Sequence, residues 1–178
     1  MVRIFCLIAL LFYYPAQAQV IKHQSTTAGA YYYSAGSDAY PNDALTVELG
    51  DDLGSSVTVP ATTITNIGFK LVSKGVADVK IMLVNPAGAV HECQTIANSS
   101  LTDAGWNDVT LSTPLTITSG QAVKVWVTSS GDAQTVLYFA AGTAGLLYRA
   151  TVYADFCSAT DPGADTGVGP VGVRVYAH

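Results

Sequence analysis

Residues 104–127 read "AGWNDVTLSTPLTITSGQAVKVWV", and they decide the fold class. In the last seven positions Val123, Val125 and Val127 alternate with Lys124 and Trp126. This period-2 pattern puts three valines on one face of a strand and the lysine with the indole on the other. Upstream, "NDVTLS" at 107–112 reads as a second strand, and "TSGQ" at 118–121 supplies the turn between them.

The same alternation recurs outward in both directions. The expected strands are 44–49, 65–73, 77–84, 107–112, 122–130, 135–141, 146–153 and 171–177, with shorter pieces at 56–59 and 91–96. Turn formers separate them, among them "NPAG" at 85–88 with Pro86 in the second turn position, "SGD" at 130–132 and "GTAG" at 142–145. No window carries apolar residues at i, i+3, i+4 and i+7 between caps, so helices are not expected, and a parallel sheet would need crossover helices. The expected fold is all-β: a single-domain antiparallel β-sandwich, jelly-roll-like.

At the N-terminus Arg3 precedes the apolar run "IFCLIALLFYY", and Ala16-Gln17-Ala18 offers the small residues of a cleavage site. Residues 1–18 read as a secretory signal peptide cleaved near Ala18, which places the mature chain outside the cytoplasm, periplasmic or extracellular. The run is shorter than the ~20 residues of a spanning helix, and no later stretch is apolar enough to serve as a transmembrane anchor. Residues 19–43 are the least regular part, with Tyr31, Tyr32, Tyr33 and Tyr40 among Gly, Ala, Ser and Asp. They read as a loop over one end of the sandwich or as an arm that orders against a partner; residues 44–178 form the sandwich.

Only 12% of residues are charged, and the net charge of −5 argues against nucleic acid and anionic membrane surfaces. Cys6 leaves with the signal peptide, so Cys93 and Cys157 remain as a pair in an oxidising compartment, and a disulfide is the simplest reading. A metal site on "HEC" (His91, Glu92, Cys93) is disfavoured because these side chains alternate across a strand and no second ligand pair follows.

"ITNIGFKLV" (64–72), "DVKIMLVNPAG" (78–88) and "GWNDVTLSTPLTITSGQAVKVWV" (105–127) together resemble consecutive strands of the jelly-roll sandwiches found in secreted bacterial proteins, notably carbohydrate-binding modules and accessory domains of surface proteins. The match runs from Ile64 to Val127 and implies the sandwich fold. Loop-capping calcium is common in such domains, so the resemblance also draws attention to "DFCSATDPGADTG" (155–167). There Asp155, Asp161 and Asp165 offer the hard oxygen ligands of a structural Ca²⁺, or else make an ordinary Asx-rich turn.

Alternation sets Lys70, Lys80, Lys124, Arg149 and Arg174 outward at mid-strand, and Tyr153 and Tyr176 with them. The acids Asp38, Asp43, Asp51, Asp52, Asp103, Asp132, Asp161 and Asp165 fall in expected loops. If Lys124, Trp126, Arg149, Tyr153, Arg174 and Tyr176 are neighbours on one sheet, they form a platform of aromatic faces and cationic donors suited to sugar rings. The alternatives for Trp126 are packing beneath a loop or arm, and a subunit contact. Trp106, just after Gly105, reads as a plug closing one end of the sandwich.

Catalysis is not expected, since no nucleophile motif appears, His91 is isolated, and the carboxylate pairs Asp51/Asp52 and Asp161/Asp165 lie in polar loops. "NSS" at Asn98 is a formal glycosylation sequon. The functional expectation is a secreted non-catalytic sandwich that recognises extracellular polysaccharide or another surface polymer. The alternative is a structural or adhesive subunit that binds copies of itself through the Tyr31–Tyr33 segment.

Overall fold

The computed structural model describes residues 51–59, 62–118, 120–131, 153–158 and 172–177, and the strand backbone at 21–24, 31–35, 43–47, 135–139, 147–150 and 164–165. The proposed signal peptide and Asp161 lie outside these residues. Among them the fold is an antiparallel β-sandwich. No helix of the described residues is long and apolar enough to cross a membrane.

The first sheet contains β1 (Ile21–Gln24), β2 (Tyr31–Ala35), β13 (Val173–Ala177), β5 (Thr62–Ser73), β10 (Thr135–Phe139) and β3 (Asp43–Val47) in that order, and β8 (Trp106–Ile117) also pairs with β5. The second runs β12 (Ala164–Asp165), β11 (Leu147–Ala150), β4 (Asp51–Thr58), β9 (Ala122–Ser129), β6 (Val79–Val84) and β7 (Val90–Ile96). Between the sheets lie Ile64, Ile67, Phe69, Leu71, Leu111, Ile117, Val173 and Val175 from one and Leu53, Val57, Val79, Ile81, Leu83, Val123, Val125 and Val127 from the other, all buried. The three valines of "AVKVWVT" thus face the core, as their alternation requires.

Several strands depart from the sequence expectation. Within the Tyr-rich segment 19–43, the described stretches are strands: Ile21–Gln24 and Tyr31–Ala35 pair with each other, and the latter pairs with β13. Consecutive tyrosines carry high strand propensity without the alternation that marks a half-buried strand. Strand β4 begins at Asp51, so Asp51 and Asp52 are strand residues rather than loop residues. Asp52 is fully buried, and its register places it opposite Arg149 on β11 and Thr128 on β9. Asp43 and Asp165 likewise belong to strands rather than to loops.

Strand β8 runs through "STPL" because it lies at an edge of the sheet, where Pro114 breaks no ladder. Its pairing with β5 jumps from Ile64↔Leu115 to Asn66↔Thr110, so residues 111–114 bulge out of register. Side chains of β7 hold this bulge from the facing sheet. Glu92 accepts from the Ser112 and Thr113 N–H groups, from the Ser112 hydroxyl and from Gln94. Gln94 donates to Thr110 O, and His91 Nε2 to Thr113 O at 2.8 Å. Burial opposes ionisation of Glu92, but these donors outweigh it and hold its carboxyl below the ordinary value. His91 and Glu92, with Gln94, therefore stitch the two sheets together.

The N–S–S turn is equally committed. Asn98 Nδ2 donates to both Gly75 O and Ala77 O, while its backbone N–H donates to Asp78. The amide nitrogen that a glycan would need is tied into the loop. Lys74 Nζ reaches Asn98 O and Leu101 O from the other side.

Candidate functional site

Of the six residues expected to form one platform, five are divided between the two sheets and Tyr153 lies in neither. Lys124 and Trp126 on β9 and Arg149 on β11 belong to the second sheet, whereas Arg174 and Tyr176 on β13 belong to the first. Alternation reports which way a side chain points relative to its own strand; it carries no information about which sheet the strand joins.

Nor is Trp126 displayed. It does point away from the three valines, as its position requires, but it is fully buried. The segment 153–158 folds over it: Phe156 packs with Trp126, Met82 and Val84 into a second small core, edged by Val90, Cys93 and Cys157. Register aligns Gly54, Trp126, Met82 and Cys93 across four neighbouring strands. Gly54 is required there, because a Cβ would stand 2.7 Å from Trp126 Cδ2 and 2.8 Å from Val125 O. The indole lies against the bare backbone of β4. The Cys93–Cys157 disulfide, with Cα atoms 5.6 Å apart, ties the cap to β7.

Tyr153 is also not a strand residue; it opens a 3₁₀ turn, Tyr153–Asp155, in this cap. Lys80 Nζ donates to Tyr153 O at 2.7 Å and sits 4.1 Å from the centre of the phenol ring. Burial, together with the nearby Asp78 carboxylate, raises the Tyr153 pKa despite a hydrogen bond with Thr95. Asp155 is exposed in the same turn, and Asp165 is described only as backbone in β12. Among the described residues no group of three His, Cys, Asp or Glu side chains is placed to hold a metal ion.

The other outer face carries a different cluster, built around the tryptophan that sequence reasoning assigned to the interior. Trp106 does not plug the sandwich; it opens β8 opposite Lys70, and both are half-buried on the outside of the first sheet. The residue that turns inward is Asn107, which is buried, accepts from Thr102 N–H and donates to Thr102 O and Gly105 O, closing the 102–107 loop.

Next to Trp106 on this face, register sets Asp108, Gly68 and Arg174 side by side on β8, β5 and β13, and in the row beyond them Thr110, Asn66 and Tyr176. A Cβ on Gly68 would collide with Asp108 Oδ1. Glycine leaves the carboxylate room to cross a whole strand and take Arg174 in a two-pronged ion pair: Nε donates to Oδ1 at 2.8 Å and Nη2 to Oδ2. The Arg174 guanidinium carbon then lies 4.3 Å from the Trp106 ring centre and 5.1 Å from that of Tyr176. Lys70 Nζ stands 5.9 Å from the same indole. The Tyr176 hydroxyl is 3.4 Å from Asp108 Oδ2, and Asn66 donates to Thr110 Oγ1 at 2.9 Å.

Two aromatic rings and a cation between them, locked by a carboxylate, are thus held on the inner strands β13 and β5 and the edge strand β8 of one sheet. Of the residues expected at the site, Arg174 and Tyr176 belong to this cluster and Lys124, Trp126, Arg149 and Tyr153 do not. Trp106, Lys70, Asn66, Gly68 and Asp108 were missed as site residues, although the outward position of Lys70 was legible. No protein-family model matches the chain, and no curated protein sequence matches it.

Proposed function

We propose that this chain is a secreted, non-catalytic binding module that engages extracellular carbohydrate or another surface polymer through the outer face of its first sheet. The observation that carries the reading is Arg174, fixed by Asp108 across Gly68 and flanked by Trp106 and Tyr176. Trp, Tyr and Arg are the side chains enriched at binding hot spots, Trp and Tyr because they offer large contact area with little conformational entropy to lose. Here the ion pair and the stacking have already restricted the rotamers, so a ligand meets a preorganised surface.

The chemistry suits a sugar chain: C–H faces of pyranose rings pack on aromatic surface, and hydroxyls exchange hydrogen bonds with Asp108, Asn66 and Thr110. The Cys93–Cys157 disulfide and the N-terminal "IFCLIALLFYY…AQA" pattern support residence outside the cytoplasm. The commitment of His91 and Glu92 to stitching β7 onto β8 favours a structural role for them over a catalytic one.

The test is a glycan array probed with the mature protein, followed by titration calorimetry on any positive. Trp106→Ala and Tyr176→Ala should keep the native circular dichroism spectrum, and Trp106→Ala should weaken binding by about 30-fold, the size of a hot-spot residue. Unchanged affinity in both variants would remove the site. A mature protein that binds no glycan and forms polymers by light scattering would replace this reading with the assembly-subunit one.

A further inference from the structure

We infer that the ligand of this face is a neutral, hydroxyl-bearing glycan, and that Asp108 rather than a cation is the group that selects it; the inference rests on the carbohydrate reading above. The face is rich in cations by sequence, which invites an acidic polymer such as a polyuronate or a sulfated glycan. The geometry points the other way. Arg174 is only 12% exposed at its side chain and its fork is matched to the Asp108 carboxylate, while Asp108 is 29% exposed. The anion, not the cation, is the more open member of the pair.

An ionised carboxylate accepts hydrogen bonds at two oxygens, with about four lone-pair sites between them, so two donors from Arg174 and the long one from the Tyr176 hydroxyl still leave about one acceptor site for a ligand hydroxyl. The same charge repels a ligand carboxylate or sulfate. Lys70, the other cation of the face, is drawn toward the Trp106 ring and lies on the far side of the site from Tyr176. The chain as a whole carries a net charge of −5, which opposes the approach of a polyanion. Asn66 and Thr110, already joined to each other, add neutral donors and acceptors along the row next to Asp108.

The experiment is an array carrying neutral oligosaccharides (glucans, mannans, galactans) beside acidic ones (polygalacturonate fragments, sulfated and sialylated glycans), read at low and high salt with the wild-type protein and with Asp108→Asn. Wild type should bind neutral members only, with affinity changing by less than about twofold between the two salt conditions, because no net ion pair forms with the ligand. Asp108→Asn should weaken neutral binding by about tenfold, the loss of a charge-assisted acceptor, and should bring new binding to acidic members that fades with salt as the Arg174 fork is released. Wild-type binding to acidic members that fades with salt overturns the inference and leaves the carbohydrate reading standing. Neutral binding that Asp108→Asn leaves unchanged overturns the role of Asp108. Binding to neither class by folded wild-type protein removes both, and the wild-type arm decides between the glycan classes even if the variant fails to fold.

Discussion

Replacing Trp126 by alanine should destabilise the protein severely, whereas the same change at Trp106 should not. Trp126 is fully buried on the outer face of the second sheet, pressed against the backbone of Gly54 and covered by Phe156, Met82 and Val84. Truncating it removes the centre of a small core, and the disulfide keeps the cap from collapsing far enough to fill the void. The expected loss is about 3–5 kcal/mol, the range for large aromatic truncations. For a domain of this size that corresponds to a fall in melting temperature of roughly 6–20 °C. Trp106 is half-buried and makes cation contacts at 4.3 and 5.9 Å, so its removal should cost no more than about 1–2 kcal/mol. Urea denaturation followed by far-ultraviolet circular dichroism measures both, and each variant keeps one indole as a fluorescent reporter. In native protein the Trp106→Ala variant should show blue-shifted emission from buried Trp126, and the Trp126→Ala variant red-shifted emission from Trp106. A loss under about 1 kcal/mol at Trp126 would mean that the 153–158 segment does not cover it in solution.

The remaining predictions concern the stitches of the fold. Native Cys93 and Cys157 should resist alkylation, and reduction should cost about 4 kcal/mol in the chain-entropy model and shift Trp126 emission to the red as the cap loosens; alkylation of native, unreduced protein would contradict the disulfide. Glu92 has a folded-state pKa below its unfolded value of 4.5, so it stabilises the fold fully above that value and loses the contribution as pH falls through the folded pKa. Stability measured from pH 6 downward should therefore fall more steeply in wild type than in Glu92→Gln, and parallel curves would exclude the β7–β8 stitch. Gly68→Ala should displace Asp108 from Arg174 and weaken glycan binding by about tenfold or more while costing only about 1–3 kcal/mol of stability, and unaltered binding would show that the ion pair does not organise the site.

The sandwich was legible because its strands carry the period-2 signal wherever one face is buried: the alternation in "AVKVWVT", "DVKIMLV" and "VGVRVYA" sends Val123, Val125 and Val127, Val79 and Ile81, and Val173 and Val175 into the core where they lie. Strands that lack the signal were lost. Ahead of the strand piece legible at 56–59, "DDLG" (51–54) reads as a turn because it combines two aspartates and a glycine, yet Asp52 lies in a strand where Arg149 is directly across the ladder, and Gly54 is there to receive an indole. The covering of Trp126 was indirectly within reach. A disulfide from Cys93 to Cys157 forces the chain around 157 onto the strand that holds Cys93, and "DFC" brings Phe156 with it. What was missing was the strand order, which sets Cys93, Met82 and Trp126 in one row.

The candidate site was hidden for the same reason at a second level. Arg174 and Tyr176 were recognised as outward, but the sequence offers no reason to join them to Trp106, Asp108 and Gly68, which are distant in the chain and come together only through the pairing of β8, β5 and β13. The informative residue is the one with no side chain. A glycine in the middle of a buried strand weakens it and demands a cause, either a bulge or the close approach of another group. In "ITNIGFKLV" the bulge lies at Thr65, before Gly68, so Gly68 needs the second explanation. The second sheet and the first repeat the logic: Gly54 lets an indole cross from β9 onto the backbone of β4, and Gly68 lets a carboxylate cross from β8 over β5 to Arg174 on β13. One crossing is sealed under a disulfide-bound cap and stabilises the fold. The other stays at the surface, where it fixes a cation between two aromatic rings, and that difference in covering is what separates a structural cluster from the proposed recognition surface.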